Sequence, residues 1–469
     1  MSRGVSARLM VLLLGLSLLR GMLYGAIIPP WQAPDEPWHF EHAKLVYDKD
    51  RPAGWRDRSP ELQSAIIASM QDYRFWDYVP WAMPPDEIVK WGELHQPPLY
   101  YQLSAWTLHF TVDRGMLTQL YVMRLVSVLL GALGVLLAHL STRILFPEDG
   151  FLQVAVPGFV VFLPMHTYMT SVVNNDVLAE VAASLGICGV VLGLRYGFSL
   201  RGWRSTGVTL LWLALLGLSL PLGFLSKRTF FFLIPVAFLA VPLALALHFP
   251  RTWLGRLAVL LGIGVLATVG ILLWRSGWLL QRWTYAYSRL AYTSAYPELG
   301  ALLALLPAMY TQYAEYLFKS FWAFFGYLTV ELNLVWYALL AAACLTALVG
   351  LMSIGVRVAK GAARVAAWQG VTLALFFLSF LVIVALTVIT FLNYESGAIA
   401  WAGKGQMPQG RYLFPAIIPI GTLLTLGWRG LIPVRYRFQG LVALLGVLFL
   451  LDLICLCGYI IPYFYGAPF

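Results

Sequence analysis

The chain has 469 residues, of which 60% are hydrophobic, 15% aromatic and only 12% charged. This composition, with a mean hydropathy of +0.75, excludes an ordinary soluble protein and indicates a polytopic membrane protein. We attribute the net charge of +10 to membrane topology and anionic lipid head groups rather than to nucleic-acid binding. All cysteines fall in apolar runs, so no disulfide framework is predicted in the outer loops; they are Cys188, Cys344, Cys455 and Cys457.

Eleven apolar runs are long enough, or nearly so, to cross a bilayer as helices. We therefore predict an all-α membrane protein of about 11 transmembrane helices. The first run is longer than a signal-peptide core and lacks a small-residue cleavage site before Pro29, so we interpret it as a span. The runs lie near 9–28, 120–145, 151–170, 177–194, 207–225, 230–247, 255–274, 334–355, 368–392, 412–427 and 439–463.

The loop charges predict the orientation of these spans. With the N-terminus in the cytoplasm, every inner connection carries arginine, which is the positive-inside pattern. The first outer loop holds 13 of the 22 acidic residues, and a second outer segment is rich in tyrosine and tryptophan and reads as interfacial helices. The predicted regions are the first span (1–28), the large outer loop with interfacial helices (29–117), spans two to seven (118–274), the aromatic outer segment (275–333) and the last four spans (334–469).

The acidic pair Asp35 and Glu36 follows the first predicted span by a few residues. Two adjacent carboxylates between prolines at the bilayer edge suit acid–base or metal chemistry on a lipid-borne substrate, because carboxylates so close to hydrocarbon are costly. The alternative is a solvated turn at a helix start. His39 and His42 lie one helical turn apart and could add metal ligands, although such histidines more often pack or bond locally.

Two other outer connections offer polar side chains for a substrate pocket. Two prolines in the first of them predict a rigid turn into a helix. In the second, Asp176 could simply cap the next helix, or it could join Asp35 around a cation. The pocket candidates from both connections are His95, Gln96, Tyr100, Asn175 and Asp176.

Lysine and arginine residues lie in two predicted outer connections, although the positive-inside rule disfavours cationic residues on that side. Lys227 and Arg228 join spans five and six, and Arg411 and Tyr412 precede span ten. Lysine and arginine suit the capture of a phosphate, and the alternative is an interfacial anchor. Gly410 would let the backbone beside Arg411 approach its neighbours closely. The sequence therefore predicts a phosphate site that contains these four cationic and aromatic side chains.

The order of these motifs resembles that of GT-C-type integral membrane glycosyltransferases, which are related to protein O-mannosyltransferases and aminoarabinose transferases. The chain is most similar to a group of predicted membrane proteins with Pro-Asp-Glu-Pro and Gln-Pro-Pro-Leu-Tyr motifs. The resemblance covers the chain to about residue 430. It rests on the Asp-Glu pair after one span, Gln-Pro-Pro-Leu-Tyr-Tyr from Gln96, the short Asn-Asp connection, the Lys-containing outer turn and Gly-Arg-Tyr from Gly410.

The resemblance implies a reaction and a place for it. Asp35 would be the catalytic base with Glu36 beside it, and cations such as Lys227 and Arg411 would hold the donor phosphate. A sugar would pass in one inverting displacement from a polyprenyl-phosphate donor to a glycan, lipid or protein hydroxyl. The site would face outward from the cytoplasmic (inner) membrane of a bacterium. A divalent cation, Mg²⁺ or Mn²⁺, could lie between Asp35 and Asp176.

Two departures from relatives bear on the acceptor. The chain lacks the Trp-Trp-Asp motif of oligosaccharyltransferases, which argues against transfer to an asparagine sequon. It also lacks the large soluble C-terminal domain of some relatives, so the two outer loops should recognise the acceptor. We predict that at least one aromatic side chain of the second loop lies near Asp35. The candidates are Trp278, Trp283, Tyr285, Tyr287, Tyr292, Tyr296, Tyr310, Tyr313, Tyr316 and Trp322.

Other classes of protein stay open at this point. A lipid-linked saccharide flippase or other transporter should carry ionisable residues within its spans, whereas Arg20 and Asp452 are the main exceptions here. An O-antigen-ligase-like transferase is the nearest enzymatic alternative, but its activity would not be expected to centre on an acidic pair after the first span. A non-catalytic scaffold gives no reason for carboxylates and cations to gather on one face.

Overall fold

The computed structural model describes residues 3–80, 82–88, 92–199, 202–248, 264, 314–396 and 409–466. Within these ranges nine helices are long and apolar enough to cross a membrane, and two two-residue strands form the β-structure. The predicted all-α polytopic class is therefore confirmed. The predicted span at 255–274 lies outside the described residues apart from Gly264.

The described elements follow the chain in this order: α1 (Arg3–Ile27), α2 (Glu36–Lys49), α3 (Pro60–Asp72), α4 (Phe75–Tyr78), α5 (Pro85–Ile88), α6 (Leu99–Trp106), α7 (Met116–Leu145), α8 (Leu152–Phe162), α9 (Pro164–Met169), α10 (Asp176–Tyr196), α11 (Trp203–Phe224), α12 (Leu233–His248), α13 (Ala314–Trp322), β1 (Phe324–Phe325), β2 (Val330–Glu331), α14 (Leu334–Ala359), α15 (Ala367–Ser396), α16 (Ile417–Leu431), α17 (Arg437–Cys455) and α18 (Ile461–Tyr465). Short 3-10 segments, Arg228–Phe232 and Gly410–Ala416, precede α12 and α16, and a π-helical turn, Leu456–Ile460, joins α17 to α18.

The single span expected at 151–170 is instead two short helices. Leu163 is extended (φ −71°, ψ 111°) and Pro164 starts α9, because the residue before a proline is pushed out of the helical region. Every residue of α8 and α9 is buried, so both helices pack in the interior of the bundle rather than against lipid. The chain emerges from α9 into the short connection that carries Asn175.

The two ionisable residues predicted within spans form a pair. Arg20 on α1 donates from Nε to Asp452 Oδ2 on α17 at 3.0 Å, and the hydroxyl of Tyr24 donates to Asp452 Oδ1 at 2.7 Å. All three side chains are buried. A charge inside the hydrocarbon region is tolerated when it is paired in this way, so these residues tie the first described helix to the last long one.

The loop between α1 and α7, which we predict to lie outside the membrane, is a folded layer with its own apolar core. Its buried side chains include Trp31, Phe40, Ile66, Phe75 and Tyr100, and they pack against the start of α7. Helices α2, α3 and α6 supply most of this core. The layer lies where α1 ends and α7 begins, and it contains the acidic pair at the start of α2.

The basic connections meet at the other end of the bundle. Arg195 at the end of α10 donates to Ile144 O at 2.5 Å, and Arg357 at the end of α14 donates to Gly430 O at 2.8 Å. Arg429 forms an ion pair with Asp149. Arginines here satisfy carbonyls at helix C-termini, where cations are favourable. The predicted separation of an arginine-rich end from an acidic end is thus present in the fold.

Candidate active site

Asp35 occupies a constrained backbone position at the start of α2. Its φ of 64° and ψ of 2° place it in the left-handed region, which aspartate tolerates better than most residues. Such backbone strain persists only where the surroundings enforce it, and it is frequent at functional sites. One third (33%) of the Asp35 side chain is exposed, whereas the residues around it in α2 are buried.

Glu36, the next residue, is enclosed by protein. Its carboxylate binds Arg124 on α7 through two bonds, Nε to Oε1 at 2.8 Å and Nη2 to Oε2 at 2.6 Å. The backbone N–H groups of Trp31 (3.2 Å) and Val173 (3.1 Å) donate to the same two oxygens. Glu36 has no exposed surface. The structure therefore turns the two adjacent carboxylates toward different surroundings.

Arg124 is a residue that the sequence-based prediction missed. Besides Glu36 it binds the carbonyl oxygens of Gly25 and Ile28, both at 2.7 Å, and of Pro29 at 3.2 Å. It thereby satisfies backbone groups where α1 ends, which otherwise would be buried without partners. The sequence did contain a signal, because Arg124 is a single arginine near one end of an apolar run. We interpreted it only as part of the predicted span.

Arg411 meets Asp35 across 376 residues of sequence. Its Nη2 atom lies 2.6 Å from Asp35 Oδ2 and 3.1 Å from the hydroxyl oxygen of Tyr412. The Arg411 side chain is 2% exposed, and its Nε and Nη1 atoms find no hydrogen-bond partner among the described residues. A buried guanidinium with donors to spare is prepared to bind an anion.

A close backbone contact holds Arg411 in place. The N–H of Gly410 donates to Ser320 Oγ on α13 at 2.7 Å. A Cβ atom at Gly410 would lie 2.1 Å from the backbone nitrogen of Phe321, so only glycine fits. The close approach that the Gly-Arg-Tyr motif predicted is therefore present, and its partner is α13.

A second ion pair lies beside the first. Lys227 Nζ is 2.7 Å from Asp176 Oδ1, and both residues are buried. Lys227 and Arg411 both face the ring of Tyr412, at 5.3 Å and 5.0 Å from its centroid. Asp176 does not cap α10 with its side chain; Asn174 Oδ1 accepts the Asp176 N–H at 2.8 Å. Two cations and two carboxylates are thus gathered around one phenol ring.

The predicted pocket residues join three outer connections. Asn175 Nδ2 donates to Gln96 Oε1 at 3.3 Å and to Ser226 O at 3.2 Å. Gln96 Nε2 is within 3.2 Å of His95 Nε2. Tyr100 is fully buried and supports the α9–α10 connection, because its hydroxyl accepts the Asn174 N–H at 2.9 Å. Arg228 is exposed at the start of its 3-10 segment, unlike Lys227 before it.

Glu93 and His39 are further ionisable groups beside Asp35. Burial raises the pKa of Glu93, and the nearby Asp35 charge adds to that rise. Burial holds the pKa of His39 well below its ordinary value, so the ring is neutral at neutral pH, and its Nδ1 atom lies 2.8 Å from the Tyr101 hydroxyl. His42 stacks on Tyr101 with ring centroids 3.7 Å apart, and burial lowers its pKa to about 4. Both histidine rings therefore stack on Tyr101.

Opposing effects set the charge state of Asp35. Burial raises the pKa of this carboxyl group, but Arg411, His39 and Lys227 together outweigh burial, so the net pKa lies below its ordinary value. Asp35 is therefore ionised at neutral pH. It is also a weak base as long as both cations stay where they are.

The residues suggested for a divalent cation are already neutralised. Asp35 is paired with Arg411 and Asp176 with Lys227, so a metal ion between the two carboxylates would have to displace both cations. Within the described ranges no group of three His, Cys, Asp or Glu side chains is arranged to hold a metal. The described residues therefore form no ready-made metal site with both ion pairs closed, and the divalent cation stays a prediction.

Most of the aromatic segment predicted to roof the site, residues 275–313, lies outside the described residues. Of the predicted candidates that are described, Trp322 packs on Phe159 and Tyr316 stacks on Phe324. Tyr327, in the turn between β1 and β2, is an aromatic residue of this segment that we did not predict. Burial and then the Asp35 charge raise the pKa of its hydroxyl well above the ordinary value, so it faces Asp35 in neutral form.

The fold and this cluster define an all-α membrane protein with an acidic and cationic centre at one end of its helix bundle. No protein-family profile matches the chain, and no curated protein matches it in sequence. The Archaeoglobus fulgidus oligosaccharyltransferase, tethered to an acceptor peptide with an NVT sequon, has a TM-score of 0.50 at 13% identity. That comparison covers 96% of this chain and 55% of the other.

A second structure shows that oligosaccharyltransferase, AglB, in complex with an inhibitory peptide and a dolichol-phosphate. Its TM-score is 0.48 at 12% identity, and the comparison covers 94% of this chain and 55% of the other. The chain thus spans about 55% of the length of the protein it matches. The GT-C fold expected from the order of motifs is confirmed by the first comparison. At this identity the likeness concerns the fold.

Proposed function

We propose that the chain is a membrane glycosyltransferase that moves a sugar from a polyprenyl-phosphate donor to a hydroxyl acceptor. One observation carries the proposal: an accessible carboxylate, Asp35, lies in contact with Arg411 and beside a second cation, Lys227. Arg411 is buried, and two of its nitrogen atoms have no hydrogen-bond partner among the described residues. The fold shared with an oligosaccharyltransferase supports it. So does the position of the cluster at the ends of apolar helices, where a lipid-borne phosphate would arrive.

Asp35 is the proposed general base. Its carboxylate takes the proton of the acceptor hydroxyl while the hydroxyl oxygen attacks the anomeric carbon. As that bond forms, the bond between the anomeric carbon and the phosphate oxygen breaks, and polyprenyl phosphate leaves. One displacement inverts the configuration and needs only one base. The exposed third of the Asp35 side chain gives an acceptor a way to reach it.

Arg411 and Lys227 are the proposed partners of the leaving phosphate, which gains negative charge as the bond breaks. Buried cations are effective there because they act in a water-poor environment and are already oriented. Tyr412 helps to position both cations, since Lys227 and Arg411 each lie over the Tyr412 ring. Arg228, exposed beside Lys227, is proposed to contribute at the edge of this site.

Glu36 is proposed to position Asp35 rather than to react, because all its oxygens bind Arg124 and backbone N–H groups. The acceptor would enter past Gln96, His95 and Asn175, which line the outer connections. We place the protein in the inner membrane of a bacterium with this site outward, since the arginine-rich end of the bundle faces the cytoplasm by the positive-inside rule.

The test is a transfer assay with the protein reconstituted in lipid vesicles. The substrates are polyprenyl-phosphate sugars labelled in the sugar, offered with glycan, lipid and peptide hydroxyl acceptors. We expect labelled product and free polyprenyl phosphate in equal amounts, and a loss of ~10²–10⁴-fold in rate for Asp35→Asn. Asp86→Asn, an exposed acid of the same loop, is the matched control and should behave like wild type.

Two results would overturn the proposal. Movement of intact labelled donor across the bilayer without loss of the sugar would identify a transporter instead. A rate for Asp35→Asn within about tenfold of wild type would remove Asp35 from the role of base, because general-base catalysis contributes more than this.

A further inference from the structure

Both cations proposed to bind the donor phosphate already hold a carboxylate. Arg411 lies 2.6 Å from Asp35, and Lys227 lies 2.7 Å from Asp176. With two positive and two negative charges around Tyr412, the centre is neutral as it stands. A phosphate that approaches such a centre is attracted by the cations and repelled by the carboxylates at similar distances.

We propose that the donor phosphate binds by ion-pair exchange, an inference that rests on the proposed function. The phosphate replaces Asp35 as the partner of Arg411 and replaces Asp176 as the partner of Lys227. The two carboxylates are then competitors of the phosphate that are built into the site. Exchange leaves Asp35 without its cation at the moment when a base is required. Asp176 becomes a positioning residue that holds Lys227 ready and yields it to the donor.

Burial indicates which group moves in the first pair. The Arg411 side chain is 2% exposed and fixed by Gly410 against α13, whereas a third of the Asp35 side chain is exposed. The carboxylate, not the guanidinium, therefore has room to turn away. The Nε and Nη1 atoms of Arg411, which have no partner in the part of the chain that the structure describes, allow it to bind the phosphate before it releases Asp35.

In the second pair the cation is the group that moves. Asp176 is 3% exposed and belongs to the first turn of α10, whose backbone is held by Asn174. Lys227 lies at the end of a four-carbon stem in the connection between α11 and the 3-10 segment, so its ammonium group can shift while its backbone stays in place. Both movements turn the cations toward a shared ligand beside Tyr412.

The exchange also changes the strength of the base. Arg411, followed by His39 and Lys227, holds the pKa of Asp35 down against the opposing effect of burial. Once a phosphate neutralises the two cations, burial is less opposed and Asp35 becomes a stronger base. The acceptor would then be deprotonated only when the donor is in place, which limits unproductive chemistry at the empty site.

The experiment measures binding of a polyprenyl phosphate without sugar to the full chain in lipid nanodiscs. Exchange predicts that Asp35→Asn and Asp176→Asn each bind this probe about tenfold more tightly than wild type, since each removes a competitor worth about 1.4 kcal/mol. Arg411→Ala and Lys227→Met should bind at least tenfold more weakly. Asp86→Asn is the control for a lost carboxylate, and a neutral polyprenol is the control for lipid binding alone.

The outcomes separate this inference from the proposed function. Unchanged or weaker binding in both Asp35→Asn and Asp176→Asn, with weaker binding in Arg411→Ala, would overturn the exchange and leave the phosphate site standing. Unchanged binding in both cation variants would overturn the phosphate site itself. Melting temperatures check that each variant is folded, and the two aspartate variants lie in different elements, so misfolding of one leaves the other as a test.

Discussion

Asp35 and Glu36 are neighbours in the chain, and each forms an ion pair with an arginine from a distant helix, yet the two pairs differ in design. Glu36 is fully enclosed and accepts four hydrogen bonds, two of them from Arg124. Asp35 contacts Arg411 at one oxygen and keeps a third of its side-chain surface exposed. The comparison shows how one acidic motif can supply both a structural anchor and a reactive group.

The two arginines differ in the same sense. Arg124 uses its donors on Glu36 and on carbonyl oxygens at the end of α1, so nothing is left for a ligand. Arg411 keeps Nε and Nη1 without partners among the described residues. Unsatisfied buried donors cost stability, and they persist where function uses them. The Asp35 pair is therefore the one that can open.

Breaking the Glu36 pair should have the largest effect on stability. Arg124→Ala leaves a buried carboxylate and carbonyl groups at the end of α1 without donors, so we expect a loss of about 3–5 kcal/mol in the free energy of unfolding. Denaturation in detergent measures it. Arg114→Ala, an exposed arginine just before α7, is the control and should change stability little. Equal stability of both variants would contradict the role of Arg124 as an anchor.

Arg411→Lys should impair transfer and leave the fold intact. The ammonium keeps the charge but cannot bind a phosphate and a carboxylate through a fork, so we expect a loss below the ~10²–10³-fold of full donor removal yet above tenfold. Transfer rate and melting temperature are measured together. Arg114→Lys is the matched control, and a rate for Arg411→Lys equal to that control would show that the guanidinium geometry is not used.

Gly410→Ala should displace the Arg411 side chain without changing its charge. The added methyl would meet the Phe321 backbone at 2.1 Å, so we expect a cost of about 1–3 kcal/mol from overpacking together with slower transfer. Gly446→Ala in α17, where a Cβ meets nothing within 4 Å, is the control. If both variants keep wild-type stability and rate, the contact with α13 does not position the arginine.

The pH dependence should reveal the release of Asp35. Protonation of this carboxylate removes the base, so activity falls as pH drops through its pKa. Among the described residues, the charged and titratable groups around it include Arg411, Lys227, His39, Glu93, Tyr327 and Tyr412. Because the two cations help to lower the pKa of Asp35 in the free enzyme, the acid limb of kcat should lie at higher pH than that of kcat/KM for the donor. Coincident limbs would contradict the exchange.

Sequence reasoning predicted much of the architecture, because hydropathy and loop charge are local properties. Helix count and orientation predicted the long spans, an acidic end of the bundle, and a common location for Asp35, Asp176, Lys227 and Arg411. Pro164 could have indicated the break between α8 and α9, but the residues on both sides of it are apolar, so we predicted one continuous span. The predicted span at 255–274 and most of the aromatic segment fall outside the described residues.

The partners of the charged groups could not be predicted, because they depend on distances between elements far apart in sequence. No sequence pattern near Glu36 predicts that it pairs with Arg124, which lies 88 residues later in the chain. Pairing of Asp176 with Lys227, rather than a cap or a metal site, depends on how α10 meets the end of α11. Glu93 and Tyr327 lie in segments without a motif, and only the fold brings them to Asp35.

The most direct measurement compares Asp35→Asn with Glu36→Gln in the same lipid preparation, with transfer rate per folded molecule and free energy of unfolding measured for both. We predict that Asp35→Asn loses ~10²–10⁴-fold in rate with stability near wild type. Glu36→Gln should lose about 1.5–3 kcal/mol of stability while its folded fraction keeps a rate within about tenfold. The reverse pattern, with Glu36→Gln inactive when folded and Asp35→Asn active, would contradict the assignment of base and anchor.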